Sequence, residues 1–451
     1  MNRKLLLAVL VMLLICVALV ILGKQQERGV IFSSSASHSQ QKEEKEEVQE
    51  PVTATLAVCG DIMSHTPQTN DAYDAATDTY SYLPCFQFVQ PWIQQADFAV
   101  GNFETTLNGP PYSGYPQFCA PDALAHDTKA IGFDLVTTAN NHCMDKGVGG
   151  VCRTLDVLDE AGLQHIGTFR SQEEYNANNG VVVADVGGIS VAFLSYTYGT
   201  NGIPIAAEND FCLNRFNTDY VSECVTLDQE KLTRELSYAK TLGADLIAVM
   251  IHWGIEYQTT ENEYQDQVAD FLISNGADLI LGSHSHVPQP MMERTVTMED
   301  GSTRTGFVVY SLGNFVSNQS PATVSVDYTD VTAIVNLQLT KDFEAGTTTV
   351  TNVSYVPLLV LNRGANAADR YYVMDVHAAM GDYENGDTSV VNDSVYQKLQ
   401  YALNGCHTIL GESYDYVNNS DIKAPGKTAS AEETQAEETP AEAPAEEAAA
   451  A

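Results

Sequence analysis

The chain predicts an α/β sandwich built from parallel-strand βα units, with antiparallel strands added late. Three observations carry this. One phrase occurs four times: a residue pair ending in Asp, a short apolar strand, then a polar cluster. Ala96-Asp97-Phe98 leads into Gly101-Asn102-Phe103-Glu104, and Phe133-Asp134-Leu135 into Ala139-Asn140-Asn141-His142. Ala244-Asp245-Leu246 leads into Ile251-His252-Trp253-Gly254, and Ala277-Asp278-Leu279 into Gly282-Ser283-His284-Ser285-His286. The strands in these phrases are continuous apolar runs, which is the pattern of parallel strands buried on both faces. After residue 295 the pattern changes to hairpin-like stretches around turns such as Asp300-Gly301.

Taken in order, residues 53–58 form a first strand that ends in Gly60-Asp61-Ile62-Met63-Ser64-His65. The Tyr-, Asp- and Thr-rich segment to about residue 91 reads as a long loop. Residues 97–100 are a strand running into Asn102 and Glu104. A short helix over 121–131 precedes the strand 134–138. Val151, Leu155 and Leu158 mark an amphipathic helix closing near Gly162. Residues 181–185 and 189–196 flank Val186-Gly187-Gly188, a hairpin signal. Leu232, Leu236 and Ala239 face one side of a helix that ends at Gly243. Tyr264, Val268, Phe271 and Leu272 do the same in a helix stopped by Gly276. A hairpin spans 295–311, two or three β-rich stretches reach about residue 361, and a mixed segment follows.

In open α/β sheets, ligands bind where parallel strands run out. Asp61, His65, Glu104, Asn141, His142, His252, His284 and His286 all fall at such ends, and the histidines among them are half of the ten in the chain. Singly, each has an ordinary explanation: a hydrogen-bonded histidine, a turn asparagine, a solvated glutamate. Jointly, neutral imidazoles with carboxylate and amide oxygens form a borderline ligand set. That set suits a divalent transition metal (Zn, Mn or Fe) and not Ca²⁺. More than four candidate ligands point to two ions, the arrangement used for in-line attack on a phosphoryl or carbonyl centre.

The motifs Gly60-Asp61…His65, Asn102-x-Glu104, Ala139-Asn140-Asn141-His142, His252-Trp253-Gly254-x-Glu256-Tyr257, Gly282-Ser283-His284-Ser285-His286 and Tyr310-Ser311-Leu312-Gly313-Asn314-Phe315 occur in that order. In this order they resemble the CapA family of bacterial poly-γ-glutamate capsule synthesis proteins, related to the calcineurin-like metallophosphoesterases. The resemblance spans roughly residues 53–365. It implies a metallophosphoesterase-like sandwich, with Asp61 and His286 on one metal and Asn141, His252 and His284 on the other. Glu104 takes the bridging position. His142 stands beside the ions as general acid or oxyanion donor, its proton held by Asp145, and His65 is a further catalytic candidate. Glu104 stands where metallophosphoesterases place an Asp, and His65 lies four residues after Asp61 where they place a histidine after two.

Residues 5–22 are 18 uninterrupted apolar residues preceded by Arg3 and Lys4. This length matches a membrane span, with the N-terminus inside and the remainder outside. A cleaved signal peptide is the rival reading, but the small-x-small cleavage pattern is missing. Residues 23–52 then read as a disordered acidic stalk, 53–415 as the domain, and 416–451, rich in Ala, Glu, Pro and Thr, as a disordered tail. The net charge is −37. The N-terminal run carries +2, the stalk −2 and the segment from Pro425 −6, which leaves −31 on residues 53–424. Such a surface excludes nucleic acid as a partner and weighs against polyanions.

Eight cysteines follow Cys16. An exported domain permits disulfides among them, with Cys212/Cys224 and Cys85/Cys119 the nearest pairs in predicted loops. Cys59 and Cys143 read as small buried residues. The expected partners are a surface polymer or its membrane synthase complex, and the membrane itself through residues 5–22. The expected activity is metal-dependent hydrolysis or transfer. The alternatives are hydrolysis of small phosphate esters outside the cytoplasm and a non-catalytic role in polymer assembly or export.

Overall fold

The structure is a computed structural model that describes residues 49–419 and 424–425. Strand β1 (Val52–Ile62) leads, past a small hairpin of β2 (Tyr73–Asp74) and β3 (Thr79–Tyr80), to β4 (Phe98–Phe103), β5 (Leu135–Thr137) and β6 (Gln164–Ile166). Strands β1, β4, β5 and β6 are parallel neighbours in that order. A second sheet follows: β7 (Val182–Val186), β8 (Ile189–Thr197), β9 (Leu246–His252), β10 (Leu279–Ser283), β11 (Pro288–Thr297) and β12 (Thr303–Leu312). Its centre, β8-β9-β10-β12, is parallel, with β7 and β11 antiparallel at the two edges. The chain returns to the first sheet as β13 (Val331–Asp342), β14 (Thr347–Asn362) and β15 (Tyr371–Asp375), antiparallel beside β1. The sheet orders are β15-β14-β13-β1-β4-β5-β6 and β11-β12-β10-β9-β8-β7.

Alternation along each strand builds the layers. In β1, Ala54, Leu56 and Val58 enter a core shared by the two sheets, while Ala57 and Cys59 face an outer layer. In β9, Leu246, Ala248 and Met250 point inward and Ile247, Val249 and Ile251 outward. Phe98 of one sheet stacks on Phe193 of the other, 5.8 Å between centroids. The helices Ala123–Ala130 and Gly147–Ala161 cover the outside of the first sheet through Leu124, Leu155 and Leu158. Gln229–Thr241 and Glu263–Ser274 cover the second through Leu232, Leu236, Val268 and Leu272. The expected α/β sandwich with parallel units and antiparallel additions is therefore the one observed.

The recurring Asp has a structural cause. Each carboxylate sits just before a parallel strand and accepts the backbone N–H of the strand beside it. Asp97 takes Thr55 N–H at 2.8 Å, Asp134 takes Ala99 N–H at 3.0 Å, Asp245 takes Ser190 N–H at 2.9 Å and Asp278 takes Ile247 N–H at 2.8 Å. The donors at the start of the ladder are thus paired, which a buried sheet edge requires.

The segment read as a long loop differs. It contains the helices Thr66–Asp71, Leu83–Phe86 and Gln90–Gln95, which bury Phe86, Trp92 and Ile93. Each carries a proline in its first turn, where the missing N–H costs nothing. In sequence those prolines look like loop punctuation. The poorly patterned end of the chain holds β15 and the helices Val376–Glu384 and Asp393–Cys406. It continues past 415 into a turn at Tyr416–Asn418, whose Tyr416 ring packs against Trp92.

All eight cysteines of the described residues are free, so neither Cys212/Cys224 nor Cys85/Cys119 is bonded. Cys59 and Cys143 are buried, and burial pushes both thiols up. Among the described residues, no helix is long and apolar enough to cross a membrane; residues 5–22 lie outside them.

Candidate functional site

The parallel strands end at one edge of the sandwich, and their polar residues meet there. β1 delivers Asp61; the turn after β4 delivers Glu104. Asn141 and His142 follow β5, His252 closes β9, and His284 and His286 follow β10. Two close backbone approaches fix this geometry. A Cβ on Gly60 would lie 2.0 Å from Gly313 O, and one on Gly282 would lie 2.0 Å from Tyr310 O. Only glycine fits where β1 and β10 pass the end of β12. His284 (φ 104°) and His286 (φ 59°) both occupy the left-handed region, a strained backbone held by its surroundings.

All six expected metal ligands are buried and come together. Asn102 ties the carboxylates: its Nδ2 donates to Asp61 Oδ1 at 2.8 Å and to Glu104 Oε2 at 3.3 Å. His252 Nε2 lies 3.1 Å from Asn141 Oδ1 and 3.8 Å from Glu104 Oε1. His286 Nδ1 lies 3.7 Å from Asp61 Oδ2 and 2.9 Å from Asn314 Oδ1. The His284 ring is centred 4.7 Å from that of His252 and 6.0 Å from that of His286.

The electrostatics fit a cation. Desolvation pushes Asp61 up to about 7 and Glu104 well above the carboxylate range, with Asp61 adding to the latter. Desolvation holds His252 and His284 well below the imidazole range and lowers His286 to about 3. The site therefore presents neutral imidazole lone pairs beside carboxylates that burial disfavours as anions. Two of its polar atoms, Glu104 Oε1 and His284 Nδ1, are buried without a hydrogen-bond partner, which is costly unless another group satisfies them. Asp61, Glu104 and His252 each offer a ligand atom within 4.8 Å of the others, a group able to hold a metal ion.

The expected catalytic candidates lie beside the cluster. His142 Nδ1 pairs with Asp145 Oδ2 at 2.8 Å, and that oxygen also accepts Phe118 N–H at 2.7 Å. A carboxylate on Nδ1 fixes the ring's tautomer and leaves Nε2 facing the site. His65 does not join the ligand cluster. It caps the helix Thr66–Asp71, and its Nδ1 accepts Asn318 N–H at 3.3 Å. Burial lowers its pKa to about 4. It lines, with His142 and His286, a cleft of about 260 Å³ next to the cluster.

Several residues here gave no signal in the sequence. Phe118 packs edge-on between His65 and His142, at 5.0 and 4.7 Å. Asn201, in the loop after β8, accepts from Asn141 Nδ2 at 3.1 Å and places its Nδ2 3.4 Å from His142 Nε2. Tyr198 covers the His284 ring at 4.6 Å. Each comes from a loop without a motif, so only the fold brings it in.

The chain has relatives among known proteins. The chain is 28% identical over 276 residues to a capsule biosynthesis protein CapA of Bacillus anthracis, covering 59% of this chain and 60% of that protein. It is 31% identical over 240 residues to a PGA biosynthesis protein CapA of Bacillus subtilis (strain 168), covering 52% and 57%. It thus spans about 60% of the length of these relatives. A phosphatase structure from Mycoplasma pneumoniae aligns over 68% of this chain and 94% of that one, at 13% identity and a TM-score of 0.36. The model of the bacterial capsule synthesis protein family PGA_cap matches residues 55–319, more than half of the chain, and the protein belongs to that family.

Proposed function

We propose that this is a membrane-anchored, extracytoplasmic protein of capsule or poly-γ-glutamate biosynthesis whose strand-end site is a metal-dependent hydrolase or transferase acting on a surface polymer. The observation that carries the reading is the pair of unpartnered buried atoms, Glu104 Oε1 and His284 Nδ1, enclosed by Asp61, Asn141, His252 and His286. Asp61 and His286 would hold one divalent ion and Asn141, His252 and His284 a second, with Glu104 between them. When bound, such ions polarise the reacting carbonyl or phosphoryl group and supply a nucleophile at neutral pH.

The protein's own groups do the rest. Asn102 holds Asp61 and Glu104 as a pair, and Asn314 orients His286 through Nδ1. His142, its Nδ1 proton fixed on Asp145, exchanges a proton with substrate through Nε2. Phe118 packs edge-on against that ring, 4.7 Å between centroids. Residues 5–22 would tether the domain to the outer face of the membrane beside its polymer synthase, raising the polymer's effective concentration.

Elemental analysis of the purified full chain tests the site. Wild type is expected to carry a transition metal, and the double variant His284→Ala/His286→Ala to lose it. Equal metal content in both would end the assignment. A panel of γ-glutamyl amides and phosphate esters then separates polymer chemistry from phosphoesterase activity.

A further inference from the structure

The cleft beside the cluster has an unexpected charge character. Its twelve lining residues include no lysine or arginine, and Glu256 is the single carboxylate among them. A site for a chain of carboxylates or for a phosphate ester ordinarily supplies basic side chains. Its other polar groups are the imidazoles of His65, His142 and His286 and the neutral side chains of Tyr115, Tyr257, Asn318, Gln319 and Thr323.

Glu256 is placed by a stiff piece of backbone. Tyr257, at φ 67°, donates its N–H to Ser285 O at 2.7 Å, so the loop after β9 is pinned to the turn that carries His284 and His286. The Tyr257 ring lies 5.9 Å from that of His286. Across the cleft, Tyr115 exposes 78% of its surface, a large aromatic face left open at the rim. Glu256 is exposed, and its carboxylate makes no hydrogen bond or ion pair among the described residues; desolvation raises its pKa and the nearby His142 lowers it. It is near enough to push up Glu104 as well. A carboxylate with no protein partner, on a cleft wall that also carries two tyrosines, is a receptor for a cation through charge and ring faces.

We propose that this cleft is an amine subsite: Glu256, with Tyr115 and Tyr257, takes a primary ammonium at the end of an amide-linked chain whose carbonyl reaches His142 and the ligand cluster. The inference rests on the reading of the site as acting on an amide-linked polymer. It also answers the electrostatic difficulty, because what docks beside the cluster is the cationic end of the chain and not its anionic length. Carboxylates further along would extend past the rim into solvent.

Calorimetric titration of the full-length protein at fixed ionic strength tests it, with two probes: a γ-glutamyl pentapeptide bearing a free amino terminus, and its N-acetylated counterpart. Wild type is expected to bind the free amine at least about tenfold more tightly. Glu256→Gln should erase that preference, and Glu256→Lys should reverse it. Glu344→Gln removes the same charge from the exposed turn between β13 and β14 and should leave the preference intact, which separates a local site from the acidic surface as a whole. Equal affinity for the two peptides in wild type overturns the proposal, as does no binding of either at millimolar concentration, or a preference that survives Glu256→Gln. Metal content is measured on every sample. A metal-loaded wild type with no amine preference removes the subsite alone, whereas an amine preference that follows Glu256 in a protein without metal removes the metal reading alone.

Discussion

His284 and His286 stand one residue apart, both with positive φ, and both turned into the same buried cluster. A non-glycine residue in that region costs on the order of 1 kcal/mol or more, so two in three residues mark a turn selected for where it sends its side chains. The same economy shows at His142, whose partner Asp145 is three residues along the chain and already engaged with Phe118 N–H. This places His142 beside the ligands while its Nδ1 is occupied by a carboxylate. His142→Ala is therefore expected to retain most of its metal and lose at least about a hundredfold in turnover, the usual contribution of a positioned acid or base. Parallel loss of metal and activity on elemental analysis would instead make it a ligand.

At the scale of elements, the strand ends work because their beginnings are fixed. Asp97, Asp134, Asp245 and Asp278 latch each parallel strand to its neighbour at the edge opposite the site. With register set there, the polar residues arrive level with one another. The glycines act at the other end: Gly282 passes so close to Tyr310 that a methyl group would overlap the carbonyl oxygen and approach Trp253 Nε1 to 2.5 Å. Gly282→Ala should destabilise the fold by about 1–3 kcal/mol, the range for overpacked interiors, seen as a lower urea midpoint with an unchanged slope. An unaltered midpoint would mean that β10 and β12 can separate without penalty.

For the whole molecule, charge and placement are linked. The two divalent ions proposed would offset about four of the 31 net negative charges on residues 53–424, so the surface would still repel a polyanion in bulk. Tethering would be the physical remedy under the proposed function, since a domain held at a membrane would meet a polymer made there at high local concentration without long-range attraction. Residues 5–22 are accordingly expected to stay uncleaved. Protease added to wall-stripped cells should digest the domain, and the mature N-terminus should lie at or beside Met1. A mature chain beginning after residue 22 and carrying no lipid would show that the tether is absent.

The sequence by itself determined the alternation of helices with doubly buried strands and put eight polar residues at the strand ends, from which the family resemblance picked six as ligands. Those features are local: an apolar run, a terminating glycine and a polar residue at the strand's end are all readable within ten positions. Only the tertiary structure decided which atoms face one another. That Glu104 Oε1 and His284 Nδ1 lack partners depends on β4 and β10 lying in different sheets, and no spacing in the chain encodes that distance. The structure also put His65, four residues from Asp61, in the lining of the cleft beside His142 and His286. It placed Phe118 and Asn201 against His142 from loops with no pattern. The prolines of 66–95 explain the remaining difference: in sequence they break structure, whereas at the first turn of a helix buried by Trp92 and Ile93 they begin it.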